Sequence, residues 1–270
     1  MMPGSHGPRR VAVPGADLAV DVRGEGVPVL FVHGFPLDRT MWRHQLATLT
    51  RCQRIAPDLR GVGGSTASPE GYSMGGYADD LVAVLDALGV RQAVVCGLSM
   101  GGYIVFELLR RYPERVRAAA LCDTRAEPDS QDARRSRDEL AALAAAQGPS
   151  AVGERMLPRL LAAATLANLP EVVKQCRDMA GRFSVLGMVG ALRALRDRPD
   201  STPMLGRIRV PTLVVAGSED QISPPAVAQA MAQAIPGARC AVIPGAGHLA
   251  PLEQPLATTR VLSDFLETLT

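Results

Sequence analysis

The stretch Gly97-Leu98-Ser99-Met100-Gly101 joins an apolar run over residues 93–98, which reads as a buried strand, to an apolar stretch over residues 100–112, which reads as a helix stopping before Pro113. No linker separates the two, so the backbone must turn sharply at Ser99. A turn this tight strains the serine backbone and brings the residues two before and two after it too close for side chains, which is why both are glycine. The chain therefore contains a strand–turn–helix unit that lifts Ser99 above the carboxyl end of a sheet, at a helix start whose free NH groups favour negative charge. A glycine-rich turn with a spectator serine is the competing reading.

The remaining pattern fits such a sheet. Residues 18–23 alternate apolar and polar, and residues 27–32 form a continuous apolar run that stops at His33-Gly34-Phe35-Pro36. Asp38 is placed to cap a helix over 40–49 carrying Met41, Trp42, Leu46 and Leu49. A strand over 54–57 leads into the glycine-rich loop Asp58-Leu59-Arg60-Gly61-Val62-Gly63-Gly64-Ser65, then a helix over 76–88 closed by Gly89. Another strand, 118–122, precedes a change in composition: residues 125–205 are rich in Ala, Leu and Arg at helical spacing and show no strand pattern. Strand and helix alternate again through 211–216, 225–234, 239–243 and 254–269. Buried strands alternating with helices indicate an α/β fold, a parallel sheet covered on both faces. The expected organisation is a core over 1–124 and 206–270 interrupted by a helical insertion over 125–205.

Composition narrows the function classes. With 47% hydrophobic and 21% charged residues in 270, the chain is an ordinary globular one. Its longest apolar stretch, 93–106, is broken by Gly97, Ser99, Gly101 and Gly102 and falls short of the roughly 20 residues a bilayer crossing needs. Residues 1–10 have no apolar core, so no secretory leader and no regular structure are expected there, and the cytoplasm is the expected compartment. Five cysteines form no C-x-x-C pair, and three lie in apolar runs as small buried hydrophobes, so neither disulfides nor a metal site is expected. Net charge is +2, and the densest basic cluster, Arg134, Arg135 and Arg137, is interleaved with Asp132, Asp138 and Glu139 as on a solvated helix face. Nucleic acid is not an expected partner.

A serine hydroxyl needs a histidine base held by a third group to act as a nucleophile. There are four histidines. His6 lies in the unstructured start, His44 reads as part of a solvated helix face, and His33 at a strand end reads as a structural imidazole bonded to backbone. His248, in the glycine-rich loop Pro244-Gly245-Ala246-Gly247-His248 after a strand, is the candidate base. For the orienting acid, Asp220 in Ala216-Gly217-Ser218-Glu219-Asp220 is preferred over its neighbour Glu219 and over Asp123, which also follows a strand. Attack on a carbonyl creates an oxyanion, for which the backbone NH groups of Met100 and Phe35 are the candidate donors, since Pro36 has none.

The runs Leu30-Phe31-Val32-His33-Gly34-Phe35-Pro36-Leu37-Asp38, Asp58 through Ser65, Gly97 through Gly102, Gly217-Ser218-Glu219-Asp220 and Gly247-His248, in this order, resemble the α/β-hydrolase superfamily over essentially the whole chain. Within it the chain is similar to the bacterial branch of 3-oxoadipate enol-lactonases, small carboxylesterases, cofactor-free haloperoxidases and acyl-homoserine-lactone-degrading esterases. The resemblance implies an eight-stranded, mostly parallel sheet and a helical cap over residues 125–205. It implies acyl transfer from a small-molecule ester or lactone to water by Ser99, His248 and Asp220, with no metal or organic cofactor. Ser99 stands where epoxide hydrolases and haloalkane dehalogenases of this superfamily need Asp, which puts those reactions in doubt. Phe35, Trp42, Met100, Met156 and Leu160 are expected around an apolar acyl pocket, with core packing between short helices the alternative for the cap residues. An enol-lactonase would further need a positive group for a carboxylated substrate. Peroxide-dependent perhydrolysis and a ligand-binding relic without turnover are the other readings, and cap surfaces of this kind often pair copies into a homo-oligomer.

Overall fold

Residues 8–269 are described by the computed structural model, in which eight strands form one sheet. The chain enters through a hairpin, β1 (Arg9–Val13) and β2 (Ala16–Arg23), whose turn places Gly15 at φ 76°. It continues through β3 (Val27–Val32), a 3-10 turn at Arg39–Trp42, α1 (Arg43–Thr48), β4 (Cys52–Pro57) and α2 (Met74–Ala87). The elbow joins β5 (Ala93–Leu98) to α3 (Met100–Arg111), followed by β6 (Val116–Cys122). Five helices come next: α4 (Gln131–Gln147), α5 (Pro149–Leu160), α6 (Ala163–Asn168), α7 (Pro170–Gly181) and α8 (Val185–Arg196). The chain ends with β7 (Thr212–Gly217), α9 (Pro225–Ala234), β8 (Arg239–Ile243), α10 (Ala250–Glu253) and α11 (Pro255–Glu267).

Strand order is β1-β2-β4-β3-β5-β6-β7-β8; β2 runs antiparallel to both neighbours and every pair from β4 to β8 is parallel. Every residue of β5 and β7 is buried, as interior strands covered on both faces must be. Alternate side chains divide between two cores. Leu30 and Val32 pack with Tyr77 of α2 and Ile104 of α3, whereas Val29 and Phe31 pack with Leu46 of α1 and Phe265 of α11. Because β4 and β5 flank β3 on opposite sides, successive crossovers depart in opposite directions there, and a crevice opens at the carboxyl ends of β3 and β5.

Some elements differ from the sequence expectation. Arg9 and Arg10 belong to β1, where Val11 pairs with Leu18; five residues are too short for alternation to reveal, although Pro14-Gly15 marked the turn. The helix expected over 40–49 is split: Asp38 caps it as anticipated, accepting from Thr40 N at 2.8 Å, but the first turn is 3-10 and the α-helix begins only at Arg43. Among the described residues, no helix is long and apolar enough to cross a membrane.

Candidate active site

At the elbow, Ser99 has φ 53° and ψ −111°, a conformation that side chains disfavour. The packing explains the flanking glycines: a Cβ on Gly97 would overlap the carbonyl of Gly101, and one on Gly101 would overlap the carbonyl of Val32. Hydrogen bonds lock this peptide. Ser99 N donates to Cys122 O (2.9 Å), while Ser99 O accepts from Gly102 N (2.9 Å), Tyr103 N (3.3 Å) and Thr124 Oγ1 (2.8 Å). A serine before a helix ordinarily caps it with its hydroxyl, but here the positive φ turns Oγ away and it caps nothing. It meets His248 Nε2 at 2.8 Å instead.

His248 Nδ1 lies 2.8 Å from Asp220 Oδ2. A carboxylate only accepts, so Nδ1 carries the proton and Nε2 is left to accept from the Ser99 hydroxyl. Asp220 Oδ1 accepts from Ile222 N (2.7 Å) and Ser223 N (2.9 Å). Burial pushes the Asp220 carboxyl upward, but its bonds to His248 and to these two NH groups outweigh that, holding it below its ordinary value. The other candidate acids are placed differently. Glu219 is exposed. Asp123, at φ 47°, points one oxygen at Gly217 N (2.8 Å) and leaves Oδ2 without a partner. Burial first, then Asp220 and Cys122, push its carboxyl well above the usual range.

The loop after β3 runs against Ser99: a Cβ on Gly34 would lie 3.3 Å from that of Ser99. His33 holds this loop in place, with Nδ1 donating to Gly34 O (2.9 Å) and Nε2 accepting from Leu59 N (3.0 Å). Burial lowers its pKa, consistent with a neutral, structural imidazole. Phe35 packs edge-on against Phe183 of the helical segment, with ring centroids 5.6 Å apart. Met100 is buried, and its NH is the first of α3, where no intrahelical carbonyl can accept it.

Of the expected pocket residues, Leu160 accepts from His248 N (3.0 Å) through its carbonyl, and Met156 is half-buried. Trp42 is 0% exposed and packs on Phe31 with ring centroids 5.2 Å apart, in the same core cluster as Leu160. His44 is half-buried, its Nδ1 3.0 Å from Thr259 Oγ1, rather than on a solvated face. His6 lies outside the described residues.

Glu253 carried no motif signal, yet it ties the site together. Its carboxylate accepts from Ala162 N (2.8 Å), Thr165 Oγ1 (2.7 Å) and Leu249 N (3.1 Å), joining the α5–α6 connection to the loop bearing His248. Among the described residues no group of three or more His, Cys, Asp or Glu is arranged to hold a metal ion.

The family model described as alpha/beta hydrolase fold matches residues 27–255. A thermophilic esterase from Thermogutta terrifontis, solved with malate bound, is 43% identical, with a TM-score of 0.93 over 97% of this chain and 99% of that one. The 3-oxoadipate enol-lactonase 2 of Acinetobacter baylyi is 29% identical over 85% of this chain and 84% of its own. A structure described as an N-acyl homoserine lactone degrading enzyme is 30% identical, with a TM-score of 0.80 over 95% of this chain and all of that one.

Proposed function

The chain belongs to the α/β-hydrolase family, and from that premise we propose that it is a serine hydrolase cleaving carboxylic esters or lactones through an acyl-enzyme. The observation that carries this reading is the hydrogen-bonded line from Ser99 Oγ through His248 to Asp220 Oδ2, both contacts 2.8 Å. Ser99 Oγ attacks the carbonyl carbon while His248 Nε2 takes its proton, and Asp220 stabilises the resulting imidazolium. The carbonyl oxygen becomes an oxyanion between the NH groups of Met100 and Phe35; losing one such donor typically costs about 100- to 1000-fold in rate. Collapse expels the alcohol, or opens the lactone ring, with the proton returned from His248. Water then repeats the sequence on the acyl-enzyme, releasing the acid and restoring Ser99.

In this reading helices α4–α8 form a cap over the crevice. Phe35, Met100, Met156 and Leu160 face the acyl group, supported by the packing of Phe35 on Phe183. All three members of the line are present and mutually bonded, which argues against a relic that binds without turnover. Acyl homoserine lactones are the specific lactone candidates, in keeping with the relative that degrades them. Longer acyl tails should then be cleaved faster, and equal rates across tail lengths would remove this candidate.

The test is acid release in a pH-stat from short and long aryl esters and from plain and acylated lactones, for the wild type beside Ser99→Ala. The wild type should turn over part of the panel, and the variant should lose about five to six orders of magnitude in kcat. No acid from any substrate with either protein would end the hydrolase reading.

A further inference from the structure

The carbonyl of Ser99 accepts three hydrogen bonds. Two come from its own helix, Gly102 N (2.9 Å) and Tyr103 N (3.3 Å), and they already match the two lone pairs of a backbone carbonyl. The third comes from outside α3: Thr124 Oγ1 donates at 2.8 Å, and since a carbonyl only accepts, the direction of this bond is fixed. Thr124 is 1% exposed.

Helix α3 is shaped around that side chain. Gly102 lies in α3 without a positive φ, so its own backbone does not call for glycine, which weakens a helix relative to alanine. A Cβ at 102 would fall 2.5 Å from Thr124 Oγ1 and 2.6 Å from its Cγ2. Gly102 therefore makes room for Thr124, as Gly101 does for the carbonyl of Val32. Residues 122–124 also hold Ser99 at both ends, because Cys122 O accepts from Ser99 N (2.9 Å) while Thr124 donates to Ser99 O. They are fastened in turn to β7, where Asp123 N donates to Val215 O (2.8 Å) and Asp123 Oδ1 accepts from Gly217 N (2.8 Å). The hydroxyl is thus held by the neighbouring strands, independently of α3.

Ser99 C=O and Met100 N–H are the two ends of one peptide group, coupled by amide resonance. A bond accepted by the oxygen draws electron density toward it and makes the N–H a stronger donor, by about 10–30% per bond. We propose that Thr124 is a positioning residue that, by donating to Ser99 O, polarises and aims the Ser99–Met100 peptide so that Met100 N–H binds the oxyanion more strongly. The proposal deepens the hydrolase reading and rests on it. A substrate carbonyl carries little of the charge that this N–H meets in the transition state, so Thr124 acts on kcat and leaves KM in place.

Thr124→Val removes the donor at nearly constant shape, and Thr124→Ser keeps it. With p-nitrophenyl acetate, Thr124→Val should lower kcat about fivefold at unchanged KM, and Thr124→Ser should recover the wild-type value. A second readout is spectroscopic. An aryl trifluoromethyl ketone labelled with carbon-13 at its carbonyl takes Ser99 Oγ onto the carbonyl carbon; the serine proton passes to His248 and the C=O electron pair moves onto oxygen as an oxyanion. The pKa of that oxyanion, read from the carbon shift as pH is varied, should lie about 0.5 or more higher in Thr124→Val than in wild type, and at the wild-type value in Thr124→Ser. Loss of packing alone lowers the urea midpoint and the amount of adduct and leaves this pKa in place. Should Thr124→Val fail to fold, Thr124→Ala, which also lacks the donor, replaces it in both readouts. An oxyanion pKa equal in all variants, or a Ser variant no better than Val, overturns the proposal while the adduct itself upholds the hydrolase reading. A wild type that forms no adduct and cleaves no ester overturns both.

Discussion

Two buried aspartates follow neighbouring strands, and environment separates their tasks. Asp220 faces three donors, which hold its carboxyl below the ordinary value; Asp123 faces one donor, and burial together with the negative field of Asp220 pushes its carboxyl well above it. Asp220→Asn should therefore lower kcat by about 10⁴-fold, because Nδ1 of His248 loses its carboxylate acceptor and the tautomer is no longer enforced. Asp123→Asn should keep kcat within about threefold, since Asn tolerates the positive φ and can still accept from Gly217 N. Its signature is in stability against pH. A carboxyl whose folded pKa is raised contributes stability fully present below 3.8 and lost as pH rises through the folded value. The Asn variant lacks that loss, so its stability relative to wild type should improve as pH rises above 3.8 in denaturant titrations; a difference independent of pH would refute the upward shift.

Elements act here through the closeness of their backbones. β5 and α3 can join at Ser99 only while residues 97 and 101 have no side chain, and both overlaps are with backbone that cannot move aside. Gly97→Ala should therefore cost about 3 kcal/mol or more, read from the urea midpoint at constant slope. The α5–α6 connection and the His248 loop meet through a single carboxylate. Glu253→Ala would leave Ala162 N, Thr165 Oγ1 and Leu249 N without their acceptor, at about 1–3 kcal/mol for each one that stays buried. It should lower the thermal midpoint and kcat together. A variant as stable as wild type would show that water replaces the carboxylate.

Across the whole molecule, the helical segment is fastened to the core at two separate places. One is Glu253; the other is the α7–α8 connection, where Ser184 N donates to Gly61 O (3.0 Å), Gly63 N to Arg182 O (3.1 Å), and Arg182 Nε meets Asp38 Oδ2 at 2.6 Å. Burial alone would raise the Asp38 carboxyl, but its bonds to Arg182 and Thr40 prevail and lower it. A depressed carboxyl contributes stability present above 3.8 and lost as pH falls through the folded value, and Asp220 follows the same sign. Acidification through that range should speed amide hydrogen exchange in residues 163–196 before it does so in β5 and β7. Arg182→Gln should produce the same early opening at neutral pH, and simultaneous exchange of both regions would show that the fastening carries no separate stability.

The local geometry was written in the chain. Continuous apolar runs marked β3, β5 and β7, and two glycines at fixed spacing marked the elbow, because buried strands and tight turns exclude other residue types within a few positions. His248 and Asp220 could be named from the glycine-rich loops that follow β8 and β7. Tertiary structure alone brought them together, 28 residues apart from each other and with His248 149 residues from Ser99. It also packed Trp42 on Phe31 and gave Glu253 its three donors. Periodicity along a chain reports which face a residue takes; which distant faces meet depends on strand order and crossover direction, and these are settled only when the sheet closes.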